Sequence, residues 1–173
     1  PHTDTHTMKK QAPDAIVLLD AAHLAVHALF QSYRELVRTR AGALQRRALA
    51  EETCRDLTIH VRLEEELFYP ALRDALRDED LVDEAEEQHG SQRDFVAQIL
   101  AAQPEDPLYD ARVAVLQEYV ERHVRQEREH VFNRALASRL DLQSLGRSIT
   151  IRKEELRAVS EALREEALAS ALA

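Results

Sequence analysis

The sequence predicts an all-α fold: an up-down-up-down four-helix bundle with one additional helix at its C-terminal end. Three observations carry that prediction. Gly occurs 3 times, Pro 5 times and Trp not at all in 173 residues, too few turn formers for the many short strands of a sandwich or barrel. Ala, Leu, Glu and Arg are abundant, and these residues favour long helices. Four segments repeat apolar residues at steps of three and four and are joined by short polar connectors, the pattern of an antiparallel bundle.

The first helical pattern begins at Pro13 and Asp14, both good helix starters, and runs through Ile16, Leu19, His23, Val26, Phe30, Tyr33 and Val37, with Gly42 marking its end. A second runs from about Leu44 with Cys54, Leu57, His60, Val61, Glu64 and Phe68 on its stripe. Pro70 lacks an N–H and should kink or end this helix near Tyr69. The third covers Leu81 to Ala102 through Val82, Ala85, His89, Gln92, Val96 and Ile99, and the run from Gln103 to Pro107 is a loop. The fourth spans about Leu108 to Ser138, with Val113, Leu116, Val120, His123, Glu127 and His130 in phase. From Asp141 there follow a short helical piece, a break at Gly146 and a charged, Ala-rich helix from about Thr150 to Leu172, expected to pack outside the bundle or to mediate association. The domain reading is therefore a disordered or vector-derived N-terminus over residues 1–11, with translation starting at Met8, a bundle over 12–138 and a helical extension over 139–173.

Composition bounds the function. Lys plus Arg is 23 against 32 Asp plus Glu, a formal charge of −9, which repels phosphate backbones and argues against nucleic-acid binding. The single cysteine, Cys54, allows no internal disulfide and fits a reducing compartment. No apolar run approaches the roughly 18 residues of a membrane span, and no signal peptide is visible. The chain reads as a cytoplasmic helical protein, monomeric or homo-oligomeric.

Six polar residues fall where the apolar stripes demand core residues: His23, His60, Glu64, His89, His123 and Glu127. Burying one uncompensated charge costs several kcal/mol, so six would exceed the roughly 5–15 kcal/mol that holds a domain together. They must be paired, solvated or bound to something. Each helix supplies a His near its middle, and two supply the same His-x-x-x-Glu step, His60 to Glu64 and His123 to Glu127. Four residues advance a helix by about 400° and about 6 Å, so both side chains lean over one point on the bundle axis. Imidazole and carboxylate from one helix then reach one metal or two adjacent metals, an N/O set suited to iron and, among other divalent metals, to manganese, zinc or copper. A buried His–Glu network without metal is the alternative.

At these residues the chain resembles the hemerythrin-like proteins of the HHE cation-binding domain family. Asp14 to Phe30 is similar to the family's opening helix, and the stretch Leu57-Thr-Ile-His60-Val-Arg-Leu-Glu64-Glu-Glu-Leu-Phe-Tyr-Pro70 to its second. Glu86-Glu-Gln-His89 and His123-Val-Arg-Gln-Glu127 are similar to the third and fourth. The likeness covers roughly Asp14 to Leu136, and the tail Leu145-Gly to Arg152-Lys-Glu-Glu-Leu156 is similar to tails that follow this domain. The resemblance implies a non-haem centre of two iron ions, with Glu64 and Glu127 bridging, His23 and His60 completing one iron, and His89 and His123 holding the other. It implies binding or sensing of oxygen, nitric oxide or peroxide. The rival readings are an enzyme decomposing peroxide or reducing nitric oxide, and a helical interaction module with a structural metal.

Two departures from the family pattern stand out. Oxygen carriers have a further His four residues after the third-helix His, where this chain has Arg93, which cannot ligate and should turn outward or pair with a carboxylate. The fourth-helix motif usually continues into Phe-Pro, where this chain has Phe132-Asn133, so that helix is expected to run on longer. His27, four residues after His23, is the candidate for a fifth imidazole, the alternative being a stripe-edge position. His130 reads as a residue behind the ligands or a bundle-end His rather than a ligand, Tyr69 as a core residue whose phenol could sit near the metal pocket, and Cys54 as a buried inert thiol.

Overall fold

The computed structural model describes residues 11–77 and 80–171. Except for Gln11, the N-terminal segment expected to be disordered or vector-derived lies outside the described residues. The described residues form helices joined by short turns and connectors, with no strand among them, and the four expected long helices are present.

Helix α1 (Ala15–Arg38) starts at Asp14, whose carboxylate accepts the Val17 N–H at 2.9 Å, satisfying one open donor and favouring the positive end of the helix dipole. It closes at Thr39, and the chain reverses through Arg40 at φ 56°. Gly42 is not the stop of α1. It is the N-cap of α2 (Ala43–Leu63), with an ordinary φ of −60°.

Nor does Pro70 end the second helix. α2 passes through one π-helical turn, Glu64–Phe68, directly into α3 (Tyr69–Leu76). There the Tyr69 N–H reaches back five residues to the Glu64 carbonyl. The one-residue slip leaves a carbonyl without a helical donor, and Pro70, with no N–H to offer, follows at once. α4 (Asp80–Ala101) and α5 (Tyr109–Gln126) follow, and α5 repeats the device: a π turn over Glu127–Val131, closed by Phe132 N–H on the Glu127 carbonyl, leads into α6 (Phe132–Ala137). The fourth helix thus runs on past Phe132-Asn133, as expected.

The bundle is a ring of four: α1 packs on α2, α2 on α4, α4 on α5, and α5 on α1. Its core is divided. One apolar cluster gathers Leu19, Leu63, Phe68, Leu72, Val82 and Phe132, the other Val26, Phe30, Leu57, Val96, Leu116 and Val120. Between these sequence positions lie the buried polar residues. α1 is also long and apolar enough by composition to cross a membrane, which corrects the reading of no such segment; its apolar stripe is spent inside the bundle.

The extension forms α7 (Leu142–Ala158) and α8 (Ser160–Ser170), with α7 lying on α1 and α2 and α8 on α4 and α2. The expected break at Gly146 is absent, since α7 runs through it and the interruption falls at Val159. Gly146 is small because α7 crosses the start of α1 there. A Cβ would stand 2.5 Å from the Pro13 carbonyl oxygen and 2.9 Å from the Asp14 carbonyl carbon. Arg152 reaches Glu66 at 2.7 Å and Arg164 reaches Glu51 at 3.2 Å, fastening the extension to α2 and its π turn.

Candidate metal centre

The six residues singled out by the stripes converge. His23, His60, Glu64, His89, His123 and Glu127 are all at most 4% exposed, and their ring and carboxylate atoms meet between the two apolar clusters. His60 Nε2 is 3.0 Å from Glu64 Oε1, and His89 Nε2 is 3.1 Å from Glu64 Oε2. His23 Nε2 is 3.1 Å from Glu127 Oε2, and His123 Nε2 is 3.6 Å from that same oxygen. His89 and His123 bring their Nε2 atoms within 3.1 Å of each other.

Their donor atoms fall into two groups, each spanning no more than 4.8 Å: His23, His60, Glu64 and Glu127 in one, and Glu64, His89 and His123 in the other. Glu64 belongs to both, offering one oxygen to each side. Glu127 stands in the first group, with its Oε2 leaning toward His123.

The local helical geometry explains the convergence. Each Glu is the first residue of a π turn, and π turns recur at functional sites because they re-aim side chains. The extra residue places Tyr69 five positions after Glu64 and Phe132 five after Glu127, and both rings cover the cluster. Tyr69 stacks on His89 with centroids 5.5 Å apart, and Phe132 stacks on His23 at 5.7 Å. The Tyr69 hydroxyl donates to Glu127 Oε1 at 3.0 Å and lies 3.4 Å from Glu64 Oε2. The phenol therefore stands among the donor atoms. Its place in the core by the kink, with the phenol near the pocket, was legible in sequence; its hydrogen bond to Glu127 was not, because an α-helical count puts Phe68 on the stripe.

The same slip removes His130 from the site. Val131 is buried in its stead and His130 is exposed. His27 is not brought to the cluster either. Its side chain is 48% exposed and engages Gln31 at 2.8 Å and Glu121 at 3.4 Å. Arg93 turns outward and pairs with Glu65 at 2.6 Å, as its chemistry requires, and Glu65 in turn holds His89 Nδ1 at 3.1 Å. Cys54 is buried in the apolar cluster below, where burial pushes its thiol up to about 12.

The electrostatics describe a site that must be neutralised. Burial opposes charge on His23, yet Glu127 and Glu64 overcome it and lift its pKa to about 10. Burial likewise opposes charge on His89, and Glu64 and Glu65 lift it to about 9. His60 moves the other way, because burial and the neighbouring His23 outweigh Glu64. Burial alone would raise Glu64, but the surrounding imidazoles hold it well below the usual carboxylate range. Without an ion, the raised values favour protons on His23 and His89 beside the Glu64 carboxylate.

Protons do not satisfy the cluster geometrically. Both ring nitrogens of His23 and of His60, Glu64 Oε1 and Glu127 Oε2 are buried with no hydrogen-bond partner, although several lie about 3 Å from a polar neighbour. Close, buried and unaligned lone pairs are expensive to leave so, and a cation placed among them would answer all but the outward nitrogens. Four imidazoles, two carboxylates and a phenol with no thiolate form an N/O set that fits iron.

The hemerythrin HHE cation binding domain matches residues 14–135. The fold is similar to the crystal structure of a hemerythrin HHE cation binding domain-containing protein from Mycobacterium kansasii, with a TM-score of 0.73 at 23% identity, covering 90% of this chain and 99% of that one. A search of curated proteins finds no match.

Proposed function

This chain belongs to the hemerythrin HHE cation-binding family, and on that premise we propose that it holds two iron ions in the bundle core and binds or senses a small ligand, oxygen, nitric oxide or peroxide. Glu64 is the observation that carries the reading: a fully buried carboxylate that offers one oxygen to each of two histidine-bearing donor groups. A carboxylate so placed would be able to bridge two ions. His23, His60 and Glu127 would complete one position, and His89 and His123 the other, with the Tyr69 hydroxyl donating a hydrogen bond to Glu127 beside them.

Iron would supply the site for a diatomic or peroxide ligand and the electrons for its reduction. The chain's own residues do the rest. Phe132, Phe68 and the two apolar clusters exclude bulk water, and Glu65 orients the His89 ring through its outer nitrogen. Access for a small ligand is provided by a cleft of about 480 Å³ between α1 and α5 that reaches His23 past Leu24, Phe30 and Val124. A comparable cleft of about 510 Å³ between α2 and α8 is lined by none of the donors.

The test is the visible and near-ultraviolet spectrum of iron-loaded protein held without oxygen and then exposed to it. The reading expects bands of a bridged ferric pair to appear on exposure. Iron-loaded protein that stays featureless after oxygen would contradict it.

A further inference from the structure

The outward nitrogens of the four histidines are not treated alike. His89 Nδ1 is held by Glu65 at 3.1 Å and His123 Nδ1 by Gln88 at 2.9 Å, while His23 Nδ1 makes no hydrogen bond but faces the Asp20 carboxylate at 3.5 Å. His60 Nδ1 is buried and has no partner. A metal-ligating imidazole that binds through one nitrogen carries its proton on the other, and that N–H normally finds an acceptor that fixes the ring.

His60 walls a small cavity of about 70 Å³ between α1, α2 and α7. Ala22, Ala25, Val26, Ile59 and Leu63 make its apolar sides, and its polar lining is His60, Asp56, Lys153 and Arg157. Asp56 lies one turn before His60 on α2, so the two side chains lean over the same spot. Lys153 and Arg157 come from α7, beyond the matched domain. Arg157 pairs with Glu154 at 3.1 Å, whereas Lys153 has no ion-pair partner among the described residues. The volume suits one or two waters, which need polar partners of both kinds to stay. Among the lining groups a His60 N–H and the Lys153 ammonium are able to donate to such water and the Asp56 carboxylate is able to accept from it.

We infer that Asp56 and Lys153 are positioning residues for the metal centre, acting on His60 through solvent held in this cavity. The inference rests on the metal reading above. His60 Nδ1–H donates to water, the water donates to Asp56, and Lys153 supplies the countercharge that keeps the carboxylate in place. The C-terminal extension thereby becomes a working part of the centre as well as a cover for the bundle.

The experiment measures iron affinity by chelator competition, together with the visible spectrum, in the full chain and four variants. Asp56→Ala is expected to weaken iron binding by roughly 10–100-fold, the usual effect of losing such an outer partner, and to shift the bands, while the helicity of the metal-free chain is unchanged. Asp56→Asn, which keeps an acceptor, recovers most of the affinity. Lys153→Met, which keeps the apolar stem, weakens binding in the same direction, and Arg55→Ala, which removes the surface partner that Asp56 has at 3.3 Å and Glu52 at 4.0 Å, leaves it unchanged. Asp56→Ala with wild-type affinity and spectrum would overturn the inference, as would a loss in Arg55→Ala equal to that in Asp56→Ala. Failure of the wild-type chain to hold iron would instead overturn the metal reading itself.

Discussion

Glu64 and Glu127 occupy matching places, each four residues after a His and each opening a π turn, yet their oxygens are used differently. Glu64 divides its two oxygens between the donor groups, whereas Glu127 gives Oε1 to Tyr69 and Oε2 to the histidines. Glu64→Ala should therefore lower metal content from two ions per chain toward one or none, measured by elemental analysis. Two retained irons with an unchanged spectrum would remove Glu64 from the bridging role. Tyr69→Phe deprives a buried carboxylate oxygen of its donor, which costs roughly 1–3 kcal/mol where no water replaces it. The metal-free variant should melt several degrees lower, and an unchanged melting temperature would show that the phenol is dispensable there. The six charged or polar core residues were legible in the sequence because their stripes require apolar side chains at those positions. The hydrogen bond of the Tyr69 phenol to Glu127 was not, because it depends on a turn of five residues that an α-helical count does not contain.

At the scale of elements, both π turns do the same work. Each shifts the phase of its helix by one residue, bringing Tyr69 and Phe132 over the histidines and turning His130 to solvent. Pro70 marked the first of these turns, though the residue alone reads as a kink or an end; Phe132-Asn133 gave no comparable sign for the second. Gly146 was misread for a similar reason. A glycine in a polar segment looks like a break, whereas this one is a contact, and contacts between distant segments leave no local signature. The sign of its substitution is therefore diagnostic. In an open helix Gly→Ala stabilises by roughly 0.5–1 kcal/mol, but here the added methyl meets the backbone of Pro13 and Asp14 at 2.5 and 2.9 Å. Overpacking of this kind costs about 1–3 kcal/mol. Gly146→Ala should lower the denaturation midpoint; a raised midpoint would mean that α7 does not press on the start of α1.

Over the whole molecule, the repetition visible in sequence becomes an approximate internal symmetry: α1 and α4 each bring a lone His, and α2 and α5 each bring His-x-x-x-Glu, a π turn and an aromatic ring. The symmetry is broken by Tyr69 opposite Phe132, and by the extension, which lies on α1, α2 and α4. The bundle and its buried cluster followed from periodicity alone, while the course of the extension did not, since its charged faces fit several docking positions equally.

Acid and base should act on the two forms of the protein in opposite ways. In the metal-free chain His23 and His89 have pKa values raised to about 10 and about 9 against an ordinary 6.5. Their contribution to stability is fully present below about 6.5 and is lost as pH rises through the raised values. Metal-free protein should thus lose stability between about pH 7 and 10, measured by denaturant titration, and a flat profile there would contradict the ion-paired cluster. The iron-loaded protein should fail in acid, since its histidines must be neutral to ligate and protons compete with the metal as pH falls. Retention of iron well below the ordinary carboxylate range would contradict a histidine-rich site.

The central claim is that one bundle holds two ions across a shared carboxylate. The measurement that reaches it most directly is the ratio of iron to chain, by elemental analysis and quantitative protein assay, after anaerobic loading and removal of free metal. The two donor groups joined at Glu64 predict two irons per chain. A ratio that saturates at one, or no iron retained, would contradict that claim.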